Sequence, residues 1–378
     1  MLYLDHAATS PVRPEALEAM RPYLTGVFGN PSSHHTAGEA AASALDDART
    51  RVASVLGMRR SDVVFAAGGT EANNLAVKGI VLAALERDRR HLVVSPIEHE
   101  SILESARYLR RFHGVSVTML VVDAAGRIDP AALAEALRGD TALVSVGHAN
   151  NEIGTIQDAA ALAEVAHAAG VPLHLDAVQS AGWLPLRDLG ADAISIAGHK
   201  LGAPKGIGAL AVRGRVPLEP LLHGGGQERG RRSGTENVAG AVALATALEL
   251  AEAARQATFA GVGDATARFI AAVLRAVPVA ALTGDPVHRL PGTASFTFAG
   301  TSGESVLLEL ERRGVISSSG SACAAGSDEP SHVLLACGVP PEVAQTSVRF
   351  TFGREPLSDQ APEHLARLVA DAVRAISG

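Results

Sequence analysis

Cysteine and lysine are both scarce in this 378-residue chain. The two cysteines, Cys323 and Cys337, cannot staple a fold together, and so few thiols suit a reducing, cytoplasmic setting. Lysine occurs only at Lys78, Lys200 and Lys205, so chemistry that needs a primary amine has three candidates. Net positive charge is also lacking: 33 Lys and Arg against 40 Asp and Glu give a formal charge of -7. That balance argues against direct nucleic-acid or acidic-membrane binding. The most apolar long stretch, residues 238–251, is short, alanine-rich and interrupted by Glu249, which points to a buried helix and not to a bilayer span. Met1 to His6 lack a basic region followed by an apolar run, so no signal peptide is expected. No P-loop is present, and Gly261-Val262-Gly263 lacks the third glycine of a dinucleotide fingerprint. His34 and His35 are adjacent and would not face each other on a helix, and His148, His167 and His174 have no ligand spacing, so no intrinsic metal site is expected.

What is present suits a two-domain protein with a large core. Short apolar runs at 62–67, 91–97, 115–122, 141–149, 171–177, 192–197 and 208–212 alternate with helical patterns such as 71–86, 101–112 and 158–169. This alternation predicts an α/β domain with a mostly parallel sheet covered on both faces. From about residue 252 the pattern becomes helix-dominated, with strands expected at 294–298 and 347–352 and a helix at 304–313. It predicts a smaller α+β domain of residues 256–378, joined by residues 1–13, beside a large domain of residues 14–255.

The chemistry-bearing residues fall at strand ends, where open α/β sheets bind their ligands. Gly68-Gly69-Thr70 follows the first strand and opens a helix, forming a cup for an anion or, equally, an ordinary helix cap at Thr70. Asp176 ends one strand and Lys200 follows the next, in Gly198-His199-Lys200. An acid, a lysine and a phosphate cup on one edge are the minimum set for pyridoxal phosphate (PLP): the lysine for a Schiff base, the acid for the pyridinium nitrogen. His99 ends a third strand, where an imidazole can lie over the ring. Singly, Asp176 reads as a helix cap and His99 as a satisfied buried histidine; together the roles converge. Lys78 lies within a helical pattern and reads as solvated, and Lys205 in a turn reads as steadying a loop.

At this point the sequence resembles the class V aminotransferase family, and within it the cysteine desulfurases of the NifS/IscS type. The resemblance runs almost end to end. It is carried by Tyr3-Leu4-Asp5-His6-Ala7-Ala8-Thr9, Gly29-Asn30-Pro31, Gly68-Gly69-Thr70-Glu71, Asn150-Asn151-Glu152, Asp176-Ala177-Val178-Gln179, Gly198-His199-Lys200, Arg232-Ser233-Gly234-Thr235 and Ser321-Ala322-Cys323. It implies a PLP-dependent transferase of fold type I with a seven-stranded sheet, acting as a homodimer. Lys200 would be the Schiff-base lysine, Asp176 the ring-nitrogen partner and His99 the stacking acid/base. Gln179 and Asn151 would touch cofactor or substrate. Gly69, Thr70 and His199 would bind phosphate, Thr235 the phosphate of the other subunit's cofactor. Arg349 would clamp the substrate carboxylate in a bidentate pair, helped by Asn30. Two departures stand out. Ala197 occupies a position where relatives carry a phosphate-binding serine. The sequence also stops soon after its last expected helix, at Gly378, so the longer tail some relatives use to dock a scaffold is not expected here.

The resemblance implies that L-cysteine becomes L-alanine while its sulfur moves to Cys323 as a persulfide. The sulfur would pass to an acceptor such as an iron–sulfur scaffold or a tRNA-thiolation relay, and Cys323 would at most lend its sulfur transiently to a partner's iron–sulfur cluster. The run Ser317 to Ser327 is almost all Ser, Gly and Ala, which suits a mobile, accessible thiol over about residues 317–330. Cys337 follows an apolar helical run and reads as a buried structural thiol. The alternatives are a selenocysteine lyase, an aminotransferase of the same fold that needs no Cys323, or a non-catalytic sulfur carrier.

Overall fold

The computed structural model of the chain describes residues 1–319, 329–355 and 357–377. Cys323 lies outside the described residues. The short β1 (Leu2–Tyr3) precedes the seven strands of the main sheet: β2 (Val63–Ala66), β3 (His91–Val94), β4 (Ser116–Met119), β5 (Thr141–Gly147), β6 (Leu173–Asp176), β7 (Ala193–Ala197) and β8 (Gly208–Val212). Their order is β2-β8-β7-β6-β5-β3-β4, parallel except for β8, which is antiparallel to both neighbours. Every expected apolar run in this region is therefore a strand. Their continuous apolarity has a simple cause: alternate residues enter two different cores. Val63 and Phe65 join the core on one face, Val64 and Ala66 the core on the other.

A second sheet orders β12 (Ser347–Thr351), β10 (Thr293–Phe298) and β9 (Ala280–Leu282) antiparallel. Its core is aromatic: Phe269 meets Phe296, Phe350 and Phe352 edge-on, with centroids 5.2 to 5.9 Å apart. The N-terminal β1 pairs in parallel with β11 (Val315–Ile316), which ties the start of the chain to this unit.

One helix, Val238–Ala276, runs through the expected domain boundary without a break. It is much longer than the stretch singled out in the sequence, and by length and composition alone it could cross a bilayer. Its two halves are instead packed differently. Ala241, Leu244, Ala245, Leu248 and Ala251 lie in the large core, while Val262, Phe269, Ala272 and Val273 cover the small sheet. Gly261 and Gly263 do not interrupt it, because the i, i+3, i+4 spacing of the buried residues continues past them and offsets a cost of about 1 kcal/mol per glycine.

Candidate active site

Strand register brings the chemistry together. Gly147 on β5 pairs with Asp176 on β6, Asp176 with Ser195 on β7, and Ala197 with Gly208 on β8, which in turn pairs with Ala66 on β2. The ends of β2, β3, β5, β6 and β7 therefore open on one cavity of about 1020 Å³. Its wall includes Gly69, Thr70, His99, Asn151, Asp176, Gln179, Ala197, His199, Lys200 and Arg349.

Asp176 is buried, and its carboxylate accepts hydrogen bonds from Asn73 Nδ2 at 2.6 Å and Val178 N at 2.9 Å. Burial raises its pKa, and the Val178 N–H, His99, Asn73 and Lys200 oppose the rise. A carboxylate so deeply placed at a cavity wall is suited to a cationic or N–H partner inside the cavity. Its Asn73 partner also donates to Ser101 Oγ at 2.9 Å. His99 caps helix Glu100–His113: Nδ1 accepts from Ser101 N at 3.0 Å. Burial lowers its pKa against the opposing pull of Asp176, which favours the neutral imidazole. Lys200 sits in the turn Gly198–Lys200 and donates to the carbonyls of Ala7 and Ala8.

The anion cup differs from the helix-cap reading in one detail. Gly68, not Thr70, is the cap residue, and Thr70 lies within the helical segment with its side chain making no cap bond. A Cβ on Gly69 would approach Val178 Cγ2 to 2.7 Å, so glycine is what lets this turn close against the loop after β6. A Cβ on Gly68 would meet nothing within 4 Å. Open space over a helix start, flanked by Thr70 and His199, fits a phosphate group. His199 is pushed down to about 4 by burial and by Lys200 and Lys205, and its Nδ1 lies 3.2 Å from Thr9 Oγ1.

The Arg349 side chain is buried, but its terminal nitrogens are engaged: Nη1 donates to Asn151 O and Nη2 to Asp5 Oδ1, both at 2.8 Å. Only its buried Nε has no partner among the described residues, so a bidentate clamp requires these bonds to be exchanged. Asn30 is exposed and outside the cavity wall, because its Oδ1 is spent on Ser32 N in its own turn. Thr235 is exposed and also outside this chain's cavity. Lys78 is half-buried over the Tyr108 ring at 4.5 Å, not freely solvated. Lys205 is in a turn, as expected, at the cavity rim. Cys337 is buried in the large core, and burial pushes its thiol up to about 11.

Sequence reasoning gave no role to Ala7 and Ala8, whose carbonyls receive Lys200, or to Asn73. It also missed Glu98, which lines the cavity and is pushed up to about 8 chiefly by burial. The signal for Ala7 to Thr9 was their place in a shared motif; no local pattern reports a contact across more than 190 residues. In the segment 229–232, Arg229 donates to Ser61 O at 3.2 Å and Val63 O at 2.5 Å, Arg231 donates to Ser61 O at 3.3 Å, and only Arg232 pairs with an acid, Glu71, at 2.9 Å. Among the described residues, no group of three His, Cys, Asp or Glu is placed to hold a metal ion.

Comparison with known proteins agrees with this geometry. The chain is 46% identical over 386 aligned positions to an IscS-like cysteine desulfurase of Mycobacterium tuberculosis, covering 99% of this chain and 98% of that one. It is 44% identical to the cysteine desulfurase IscS of Dictyoglomus turgidum, covering 93% of this chain and 89% of that one. A solved NifS-like protein superposes with a TM-score of 0.91 at 31% identity, covering 99% of this chain and 100% of that one. SspA, solved in complex with cysteine, gives 0.81 at 35% identity, covering 94% of this chain and 100% of that one. Residues 2–360 match the class-V aminotransferases, a family that is in general PLP-dependent. The chain therefore belongs to the class-V aminotransferase family, among its IscS/NifS-like cysteine desulfurases.

Proposed function

We propose that this chain converts L-cysteine to L-alanine and keeps the sulfur as a persulfide on Cys323. The observation that carries the reading is the meeting of Lys200, Asp176, His99 and the Gly68-Gly69-Thr70 cup in one cavity. The reaction balances without an added reductant. The substrate C–S bond is replaced by C–H, the Cys323 thiol gives up its proton, and the sulfur is oxidised as the S–S bond forms.

PLP bound here supplies an electron sink next to the substrate α-carbon. Lys200 would hold the cofactor covalently, and its amine is the group placed to move the α-proton. Asp176 would hold the ring nitrogen; Gly69, Thr70 and His199 would hold the phosphate. Gln179, whose Nε2 donates to Ala7 O at 3.0 Å, and Asn151 would line the ring and the substrate. Neutral His99 can take the substrate thiol proton. Arg349 would turn from Asp5 toward the substrate carboxylate. The persulfide would then be given to an acceptor protein such as an iron–sulfur scaffold.

Ala197 is buried at the end of β7 and reaches the cup: its Cβ would lie 3.2 Å from a Cβ on Gly69. Ala197→Ser should tighten PLP binding by the net worth of one hydrogen bond, about 0.5–1.5 kcal/mol. Titrating PLP into the apoprotein measures this, and weaker binding would show that the place is already filled.

A homodimer with shared sites gives Thr235 its role. Lys200→Ala subunits, inactive alone, and Thr235→Ala subunits, weakened in PLP binding, mixed under conditions of proven exchange and limiting PLP, should exceed the rate of the Thr235→Ala homodimer, because each heterodimer holds one intact site. No gain over that homodimer would mean that Thr235 does not act across the interface.

A further inference from the structure

The segment that carries Cys323 is fastened at both ends to residues of the candidate site. Upstream, Ser318 bridges Arg349 through two backbone bonds: Arg349 N donates to Ser318 O at 2.7 Å and Ser318 N to Arg349 O at 3.2 Å. Downstream, Ser331 is buried and does two things with one hydroxyl. Its Oγ accepts from Leu334 N at 3.2 Å, capping helix His332–Ala336, and donates to Glu152 Oε2 at 2.5 Å. Glu152 follows Asn151 in the turn after β5. The neighbouring Asn150 ties that turn to the end of β3, through Nδ2 to Ile97 O at 2.8 Å. His332 Nε2 donates to Glu98 O at 3.1 Å, the carbonyl immediately before His99.

Core membership sharpens the point. Val315, just upstream, and Val348, Phe350 and Phe352, further downstream, all belong to the small core. Between them, Val333, Leu334 and Cys337 leave it and pack in the large core beneath the site. Glu152 is also costly. It is almost fully buried, and among the described residues no Lys, Arg or His lies within salt-bridge distance of it. Burial raises its pKa, opposed first by the Ser331 hydroxyl.

We propose that Ser331 and His332 are positioning residues for sulfur transfer, fastening the downstream end of the Cys323 segment to the turns that carry His99 and Asn151. The inference rests on the persulfide reading above. Cys323 stands five residues after Ser318 and eight before Ser331. Fully extended, these tethers reach about 17 and 27 Å. With both anchor points fixed beside the site, these chain lengths limit how far the thiol can lie from the substrate sulfur, and a shorter limit means a higher effective concentration. Releasing the downstream end raises that limit without touching Lys200, Asp176 or the phosphate cup.

The test uses the PLP-loaded enzyme mixed rapidly with L-cysteine, with two readouts. Cofactor absorbance reports substrate binding, and quenched-flow mass spectrometry reports the first persulfide on Cys323. Ser331→Ala and His332→Ala should slow persulfide formation by about tenfold or more, since small misplacements of a reacting group have effects of that order. Their cysteine-binding constants should stay within about twofold of the native value, too small a change to reflect a lost contact. His332→Gln should recover most of the rate, because its amide can donate to Glu98 O. Glu152→Gln should keep the fold and most of the rate, because its amide oxygen can still accept from Ser331. Unchanged rates in both alanine variants would overturn the proposal, and so would equal losses in binding and transfer, which mark general structural damage. Absence of persulfide on Cys323 in the unsubstituted enzyme would overturn the functional reading and this inference with it.

Discussion

Lys200→Ala is expected to abolish turnover while the protein stays folded. Lys200 is the one lysine at the convergence of strand ends, beside Asp176 and His199, and its amine lies within the cavity wall. Lys78 is occupied on the Tyr108 ring and Lys205 sits at the rim. Removing the amine takes away both the covalent hold on the cofactor and the α-proton carrier. The acid–base part alone is worth a factor of about 10² to 10⁴. The fold should tolerate the change. The side chain is only partly buried, and the Ala7 and Ala8 carbonyls it leaves line a cavity that water can enter. Steady-state assay of alanine and circular dichroism check the two halves. Borohydride reduction of the native enzyme followed by peptide mapping should find the cofactor on Lys200; an adduct on Lys205 would overturn the site assignment.

The second large effect is expected from Cys323→Ala. This variant should bind PLP and L-cysteine normally, because every cavity residue is intact, and should then fail to release alanine. The nucleophile must reach the substrate sulfur, which a thiol held in the core cannot do. Cys323 sits in a Ser/Gly/Ala run with little side-chain bulk. Cys337 is buried, with a thiol pushed up to about 11, so at neutral pH it holds its proton and its place in the core. Cys337→Ala should therefore turn over at close to the native rate and lose roughly 1–3 kcal/mol of stability through the small cavity it leaves. Alanine yield and thermal denaturation separate the two outcomes. Sustained alanine production by Cys323→Ala would remove the persulfide step from the account.

Much of the architecture was legible because six of the seven strands are buried almost throughout and read as apolar runs, with the edge strand β4 the partly exposed exception. Their ends were marked by residues such as Asp176, His99 and Gly68-Gly69 that are rare within buried strands. The length of helix Val238–Ala276 was not legible, because alanine dominates its first half and glycines punctuate its second, and only tertiary packing shows which face each half buries. At the site, Lys200 and Asp176 could be named from strand position alone, whereas the engagement of Arg349 with Asp5 and Asn151 depends on contacts across nearly 200 residues or more. Glu98 and Glu152 were hidden for a different reason. A glutamate in a polar turn is ordinarily solvated, and only the fold reveals that these two are sealed in. Asn30 shows the reverse: the motif resemblance assigned it to substrate binding, yet within one chain it does not line the cavity.

The central claim is that sulfur leaves cysteine and arrives on Cys323. The most direct measurement is a single pulse of sulfur-labelled L-cysteine on the native PLP-loaded enzyme without an acceptor, followed by quenching, proteolysis and mass spectrometry beside a count of alanine. The account predicts one equivalent of label, removable by a thiol, on the peptide holding Cys323, matched by one equivalent of alanine. Label on the Cys337 peptide, or pyruvate in place of alanine, would contradict it.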